Sequence, residues 1–494
     1  MSRSSSFSSA AATSVVATLL LLSSCRVGPE LPSEPPLAVP AAFAAVDTTN
    51  APSTSLRAFT DPVLDQLVER ALRDNRDLAT ALARLDEAAA LAGVADAAAL
   101  PSLAFAADRQ WQYASAQGAG LAGAGVRAGL VPRRQDVHRV GLTASWEIDL
   151  FGAVAHRRDA AAAREQAAAA TVHGTALRIA AEVAASYLEL RHLEERITVA
   201  EASAEARHRL YERAIAAHAA GLGDSGAEAA ARSAWQQAQA LPPRLRGAFT
   251  AGERRLAVLL GASPRDFRLP ARTTTPQVPT TFALGVPADL LRNRPDLLAA
   301  EAEVAAATAA IGIATADCYP RLFLLGSGGL EAESFDRLGN RSALQGLGGP
   351  SLQLPLFQGG ALASAVTAAE ANQRAALATF AQRILTALAD VEAAFAQQQG
   401  ERQRLAAAVD AADAAAIAAT RASALVRSGL QAEGSALAAR LQALAATDER
   451  LLAATDASLA AVALWKALGG DLPAPPHEPA PAAIAAQGPT QKAR

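Results

Sequence analysis

Seven histidines, two cysteines and scattered carboxylates are the residues of this 494-residue chain that could do chemistry. Their spacing argues against most of it. His138, His156, His173, His192, His208, His218 and His477 make no HExxH pair and join no Cys/His cluster at metal-ligand spacing. Gly221 and Gly226 have the outer spacing of a phosphate loop, but Ala227 stands where that loop needs lysine. No GxSxG occurs, and Gly326-Ser327-Gly328-Gly329 reads as strand or loop rather than nucleophile turn. Cys318, before Tyr319-Pro320, reads as a packed thiol at a helix end. Neither an enzyme nor a cofactor or metal site is expected.

Cys25 is different. Residues 1–24 carry one charge, Arg3, then an apolar run from Ala10 to Leu22 that is too short to cross a bilayer as a helix. Leu22-Ser23-Ser24-Cys25 resembles a bacterial lipoprotein signal, whose cysteine is acylated and becomes the mature N-terminus. The alternative is an ordinary signal cut at a small residue. Three acyl chains on Cys25 would exceed the roughly two membrane signals that stable anchoring takes. In that resemblance, Arg26 in place of Asp permits sorting to the outer membrane. Residues 25–60, rich in Pro, Ala and Thr, read as an acylated tether. With Cys25 acylated, Cys318 has no intramolecular partner, so disulfides say nothing of the compartment.

The elements around these residues are set by composition and by a repeat. Alanine dominates, only 4% of residues are aromatic, and 19% are charged. That is a helix-forming mixture. A net charge of −3 gives no reason to expect nucleic acid as a partner. Arg294–Pro320 echoes Asn75–Pro101, with Asp296 over Asp77, Gly312 over Gly93 and Pro320 over Pro101, each 219 positions apart. A second register links Val183 to Val391, Gly221 to Gly429 and Arg232 to Arg440 at 208. Two similar units in tandem are expected: 61–261 and 287–470, joined by a bridge at 262–286 and followed by a disordered tail at 471–494.

Asp61-Pro62 predicts a capped helix start, and a second helix is expected from about Arg76 to Leu100. The period then changes to two. Val140, Leu142, Ala144, Trp146, Ile148 and Leu150 alternate with Arg139, Gly141, Thr143, Ser145, Glu147 and Asp149. Leu103, Phe105, Ala107, Trp111 and Tyr113 share a less regular face interrupted by Arg109, and Ala114–Val131 reads as a long loop. In the second half, Leu322 and Leu324, then Leu352, Leu354 and Leu356, alternate in the same way. Long helices follow at Ala153–Ala219 and Ala361–Arg427, each about 100 Å of contour at roughly 1.5 Å per residue. Glycine-marked tips then return into helices at about Ala227–Leu260 and Ser435–Leu468.

Such strands are either a small sheet with one solvated face or part of a transmembrane barrel. Four strands cannot close in lipid, because the open edges leave backbone groups unsatisfied. A membrane reading therefore needs copies: two give eight strands and three give twelve.

The chain resembles the TolC-type outer-membrane channels of tripartite efflux pumps, in their lipoprotein branch. The carrying residues are Cys25 with Val27-Gly28-Pro29, then Trp146-Glu147-Ile148-Asp149-Leu150-Phe151-Gly152 and Leu256-Ala257-Val258-Leu259-Leu260-Gly261. Leu290-Leu291-Arg292-Asn293-Arg294-Pro295-Asp296, continuing to Pro320, and Pro355-Leu356-Phe357-Gln358-Gly359-Gly360 complete the set. The resemblance implies a mixed α+β membrane protein and a homotrimer. It implies a twelve-stranded transmembrane β-barrel with four strands per chain, continued by a periplasmic barrel of αα-hairpins. It also implies outer-membrane lipid around the barrel, a periplasmic adaptor, an inner-membrane efflux pump, and a passive exit duct for small molecules such as drugs. Arg139, Thr143, Ser145, Glu147 and Asp149 are then expected to face the lumen and the Val140–Leu150 face to meet lipid.

The hairpin tips would form the periplasmic gate. Relatives often carry charged residues just after the second tip, where this chain has Ser435, Ala438 and Leu441, so no acidic ring is carried over. Asp224, Glu228 and Glu433, with Arg232 and Arg440, are the gate candidates; each also reads as a helix-end charge in solvent. The competing function is a lipid-anchored periplasmic coiled-coil scaffold without a pore.

Overall fold

The computed structural model describes residues 26–32, 36–37, 40, 59–117, 120–271, 290 and 292–472. The expected signal, Cys25, most of the tether, most of the bridge and the tail beyond 472 lie outside the described residues.

Asp61 begins the ordered helices as the sequence requires. Its carboxylate accepts from the Val63 amide at 2.9 Å, and Pro62 occupies the first turn of α1, Pro62–Asp74. Val63, Leu64, Leu67, Val68 and Ala71 form the buried face of α1. Asn75 then caps α2, Arg76–Ala97, by accepting from the amides of Asp77 (2.8 Å) and Leu78 (3.1 Å). The remaining elements are β1 (Ser102–Tyr113), α3 (Gly120–Arg127), β2 (Arg134–Ile148), α4 (Ala153–Ala219), α5 (Ser225–Leu259), α6 (Pro295–Ala316), β3 (Arg321–Ala332), β4 (Leu344–Gln353), α7 (Ala361–Arg427) and α8 (Glu433–Ala467). Single 3₁₀ turns at Phe335–Arg337 and Arg341–Ala343 precede β4.

The repeat is kept element by element. α2 and α6 are both 22 residues, and β1 and β3 both 12, at the 219 spacing; α4 and α7 are both 67, and α5 and α8 both 35, at 208. Backbone specials follow the same spacing. Gly152 and Gly360 have φ of 84° and 86°, and Gly221 and Gly429 have 70° and 73°. Left-handed glycine at these positions ends one element and re-aims the next. The joints match too. The Asn75 amide donates to the Leu259 carbonyl at 2.8 Å, and Arg294, its counterpart, donates to the Ala467 carbonyl at 3.2 Å.

The chain divides into two compact units, each drawing on both repeats. One comprises Met1–Glu34, Glu87–Gln166 and Ala302–Ala378 and contains the sheet. That sheet is antiparallel in the order β1-β2-β3-β4, so β1 and β4 are its two open edges. The other comprises Pro35–Asp86, Ala167–Glu301 and Thr379–Arg494. Its core includes Val183, Tyr187, Leu188 and Leu190 of α4, Ile384 and Val391 of α7, and Trp465 of α8. Tyr187 keeps its hydroxyl satisfied in that core by donating to Asp61 at 2.6 Å. Leu388 and Phe395, each four positions after Ile384 and Val391 on α7, are only half-buried.

Four expectations need correcting. Ala114–Val131 is not all loop: it holds α3, and Gly129 (φ 72°) stops that helix while Arg127 donates to the Ala116 carbonyl at 2.7 Å. β4 lies earlier than the leucine alternation indicates. Leu354 and Leu356 fall beyond it, and its own pattern is hidden by Gly346, Gly348, Gly349 and Pro350. Proline is tolerated there because β4 is an edge. β2 begins at Arg134 and ends at Ile148, so Asp149 and Leu150 are not strand residues. Val27 does not start a free tether. Its amide donates to the Phe151 carbonyl at 3.2 Å, and its own carbonyl meets His156 Nε2 at 2.7 Å.

α6 is long and apolar enough to span a membrane by length and composition alone, but 56% of its apolar window is buried within the chain. It reads as a packed helix.

Candidate functional site

Register decides which side chains share a face of the sheet. Directly opposed residues of an antiparallel pair point the same way. Arg139 opposes Asp108 and Glu331, Thr143 opposes Ala104 and Ser327, Ser145 opposes Ser102 and Leu325, and Glu147 opposes Phe323. These residues form one face. Val140 opposes Ala107 and Leu330, Leu142 opposes Phe105 and Gly328, Ala144 opposes Leu103 and Gly326, and Trp146 opposes Leu324. These form the other, which is apolar yet uncovered by any described residue of the chain: Phe105 is 69% exposed. A contiguous exposed apolar face marks an interaction surface.

The apolar face changes character at Arg109 and His138, which oppose each other. From His138 to Ile148 the strand runs about 33 Å, which at a tilt of about 40° is a band roughly 25 Å tall. That is the height expected of a lipid-facing belt.

On the polar face, charge gathers at the two ends. At one end Arg139 donates to Glu331 at 2.7 Å and to the Gln110 side chain at 3.1 Å, with Asp108 at 3.6 Å. At the other, Arg321 grips Glu147 through two bonds of 2.9 and 2.7 Å. Arg157 of α4 stands 3.7 Å from both Glu147 and Asp317. Between the clusters the face is uncharged: Gly141, Thr143, Ser145, Ser327 and Gly329, with Leu325 and Leu347 beside them. Asp149 does not join them. Its carboxylate accepts from the Ala155 amide at 2.8 Å and caps α4, because the strand has already ended.

Beside the end of β2, residues 26–28 are held in place. Arg26 pairs with Asp159 and donates to His156 Nδ1 at 2.8 Å. The His156 ring fills the space over Gly312, where a Cβ would fall 2.4 Å from it. A Cβ on Gly28 would fall 2.8 Å from the Gly312 Cα. Cys25 itself lies outside the described residues, but its neighbour Arg26 is fixed at the strand–helix turn.

In the other unit, the hairpin tips give the gate candidates different surroundings. Asp224 caps α5 by accepting from the Ala227 amide at 2.7 Å, whereas Ala432 at the matching position has no side chain to do so. Glu433 pairs with Arg213 of α4. Glu228, Arg232 and Arg440 are half-exposed or exposed, and the structure does not bring them into that pair. A second link, missed in the sequence, joins Arg196 of α4 to Asp448 of α8 through bonds of 2.7 and 3.3 Å. Inside the hairpins, Arg255 reaches Glu189 at 3.1 Å, and Arg404 reaches Glu449 and Asp456 at 2.8 and 2.7 Å. Partners more than 200 positions apart leave no local pattern that could have announced them.

The outer membrane efflux protein family model matches residues 67–262 and 286–470. The pyoverdine export outer membrane protein OpmQ of Pseudomonas putida is 31% identical over 358 residues, covering 70% of this chain and 73% of that one. The nodulation protein T of Rhizobium leguminosarum bv. viciae is 29% identical over 388 residues, covering 76% and 75%. The solved outer-membrane channel OprN superposes with a TM-score of 0.79 at 29% identity, over 90% of this chain and 99% of that one. The family is one of transport channels rather than enzymes. Two-faced sheet, repeated helical hairpins and matched length agree: this chain belongs to the outer membrane efflux protein family and sits in the outer membrane as an efflux channel.

Proposed function

We propose that three copies close into a twelve-stranded barrel and a periplasmic helical tunnel, forming the passive exit duct of a tripartite pump. The observation that carries this is the sheet: among the described residues it has four strands and two open edges, and no described residue covers its apolar face. In lipid, open edges are costly, so β4 of one copy pairs with β1 of the next. Two copies would give about eight strands, a bore that side chains fill; about twelve leave a water-filled lumen. Arg139, Thr143, Ser145 and Glu147 line it.

The repeat supports the same closure. α6 contacts α7 through Gln373 and Thr308 at 2.8 Å and seats His156 of α4 over Gly312. The counterpart of Gly312 is Gly93, where a Cβ would meet nothing, and Leu91 and Val94 beside it are 58% and 67% exposed. The counterpart of His156 is Ser364 on α7. We place α2 of one copy against α7 of the next, with Gly93 facing Ser364.

Cys25, acylated, anchors each copy, and residues 26–28 hold that anchor at the turn after β2. The hairpins are held together, and the periplasmic end closed, through Arg213–Glu433 beside the tips and Arg196–Asp448 further along the helices. A periplasmic adaptor and an inner-membrane pump dilate them, supplying the energy the duct lacks.

The test is a short bis-maleimide cross-linker on a G93C/S364C variant, with single-channel recording of the wild type. Covalent trimers and stepwise conductance are expected. Monomers and a silent bilayer would leave the poreless scaffold as the reading.

A further inference from the structure

The outer end of the first hairpin carries charge that the shared framework does not need. Between Asp108 and Asp136 there is no carboxylate, while Arg109, Arg127, Arg133 and Arg134 all fall in that stretch. The matching stretch of the second hairpin is mixed, with Glu331, Glu333, Asp336, Arg337 and Arg341. At the 219 spacing, Arg109, Trp111 and Tyr113 correspond to Gly328, Leu330 and Ala332. The cluster therefore belongs to the first hairpin alone.

Its placement is specific. Arg109, Trp111 and Tyr113 oppose His138, Asp136 and Arg134 on the apolar face, immediately beyond the Ala107–Val140 level. Arg109 lies 4.9 Å over the Trp111 ring, and Arg133 4.9 Å over the Tyr113 ring. Among the described residues the one carboxylate against the four arginines is Asp136, 3.0 Å from Arg109. Aromatic rings topped by guanidinium groups suit the boundary between hydrocarbon and headgroups. Guanidinium groups also match phosphate oxygens in geometry and charge. This end of the sheet is the one away from α2 and α4, so in the proposed barrel it faces the outer leaflet.

We propose that Arg109, Arg133 and Arg134, on their Trp111 and Tyr113 platform, form a binding surface for the phosphate groups of outer-leaflet glycolipid. The surface holds each barrel at a fixed height and gathers a ring of phosphorylated lipid around it. The inference rests on the barrel reading above.

The probe is lipid A carrying its phosphates, against lipid A with the phosphates removed, offered to the detergent-extracted full-length assembly and counted by native mass spectrometry. The wild type is expected to retain the phosphorylated form. The R109Q/R133Q/R134Q variant should retain it roughly a hundredfold more weakly. An R133Q/R134Q variant, which leaves the Arg109–Asp136 pair intact, should show an intermediate loss with unchanged single-channel conductance. Equal retention of both lipids, or equal retention by all variants in a conducting assembly, would overturn the inference alone. A wild type that never inserts into bilayers would overturn the barrel reading and the inference with it.

Discussion

Arg213 of α4 donates to Glu433 at the first residue of α8, so one ion pair joins the two hairpins beside their tips. The partners are 46% and 51% exposed. An exposed pair is worth about 0.2–1 kcal/mol. In the proposed trimer Arg213→Ala removes three such pairs, about 0.6–3 kcal/mol in all, and should therefore raise the open-to-closed ratio of single channels by between about threefold and about 150-fold. Arg196→Ala, which breaks a link whose partners are only 19% and 30% exposed, should act more strongly. Planar-bilayer recordings of both variants and the double variant check this. Unchanged gating in the double variant would remove these pairs from the closing mechanism.

Which parts of this were legible in the sequence follows from how local each signal is. Both 67-residue helices and their glycine stops could be read because helix period and Gly chemistry act within a few residues. The polar face Arg139–Glu147 was legible for the same reason. β4 was displaced because glycines and Pro350 occupy the positions whose side chains would have marked its faces. The partners of Glu433 and Glu147, Arg213 and Arg321, come from other elements brought close only by folding.

Gly312 and Gly93 occupy matching positions but should answer differently to the same change. Gly312→Ala drives a methyl group into the His156 ring, and destabilisation of about 1–3 kcal/mol is expected, as for overpacking. His156→Ala in the same chain should recover most of it, a coupling that a double-mutant cycle measures. Gly93→Ala meets nothing within its own chain, so it should leave the fold intact and weaken only association between copies, read by native gels. Equal destabilisation by both substitutions would contradict the docking proposed for α2.

Asp296 ties the start of α6 to Arg294, through bonds of 3.0 and 2.8 Å. Burial works against its charged form. The Arg294 guanidinium and the helix-start amides prevail, and hold its carboxyl below the usual range. A depressed carboxylate contributes stability that is present above its ordinary value, near about pH 4, and is lost as pH falls through the lower folded-state value. Acid unfolding followed by circular dichroism should thus be shallower below about pH 4 in Asp296→Asn, which has nothing to protonate there. Identical acid limbs for the two proteins would count against the Arg294 pairing.

Arg139 is the one cation in a cluster with two carboxylates, Asp108 and Glu331, on the face proposed to line the lumen. Each copy therefore presents one net negative charge there, and three copies form a weakly anionic ring. Further in, Glu147 and Asp317 balance Arg321 and Arg157, so that level is neutral. Between them the face offers only uncharged residues, Leu325 and Leu347 among them, which leaves the Arg139 level to bias small ions. Arg139→Ala should double the negative charge of the ring and shift the reversal potential in a salt gradient towards cations. Glu331→Gln should shift it the other way. High salt should flatten both shifts, because the Debye length falls to about 3 Å near 1 M. If neither substitution moves the reversal potential of a conducting channel, this face does not line the ion path.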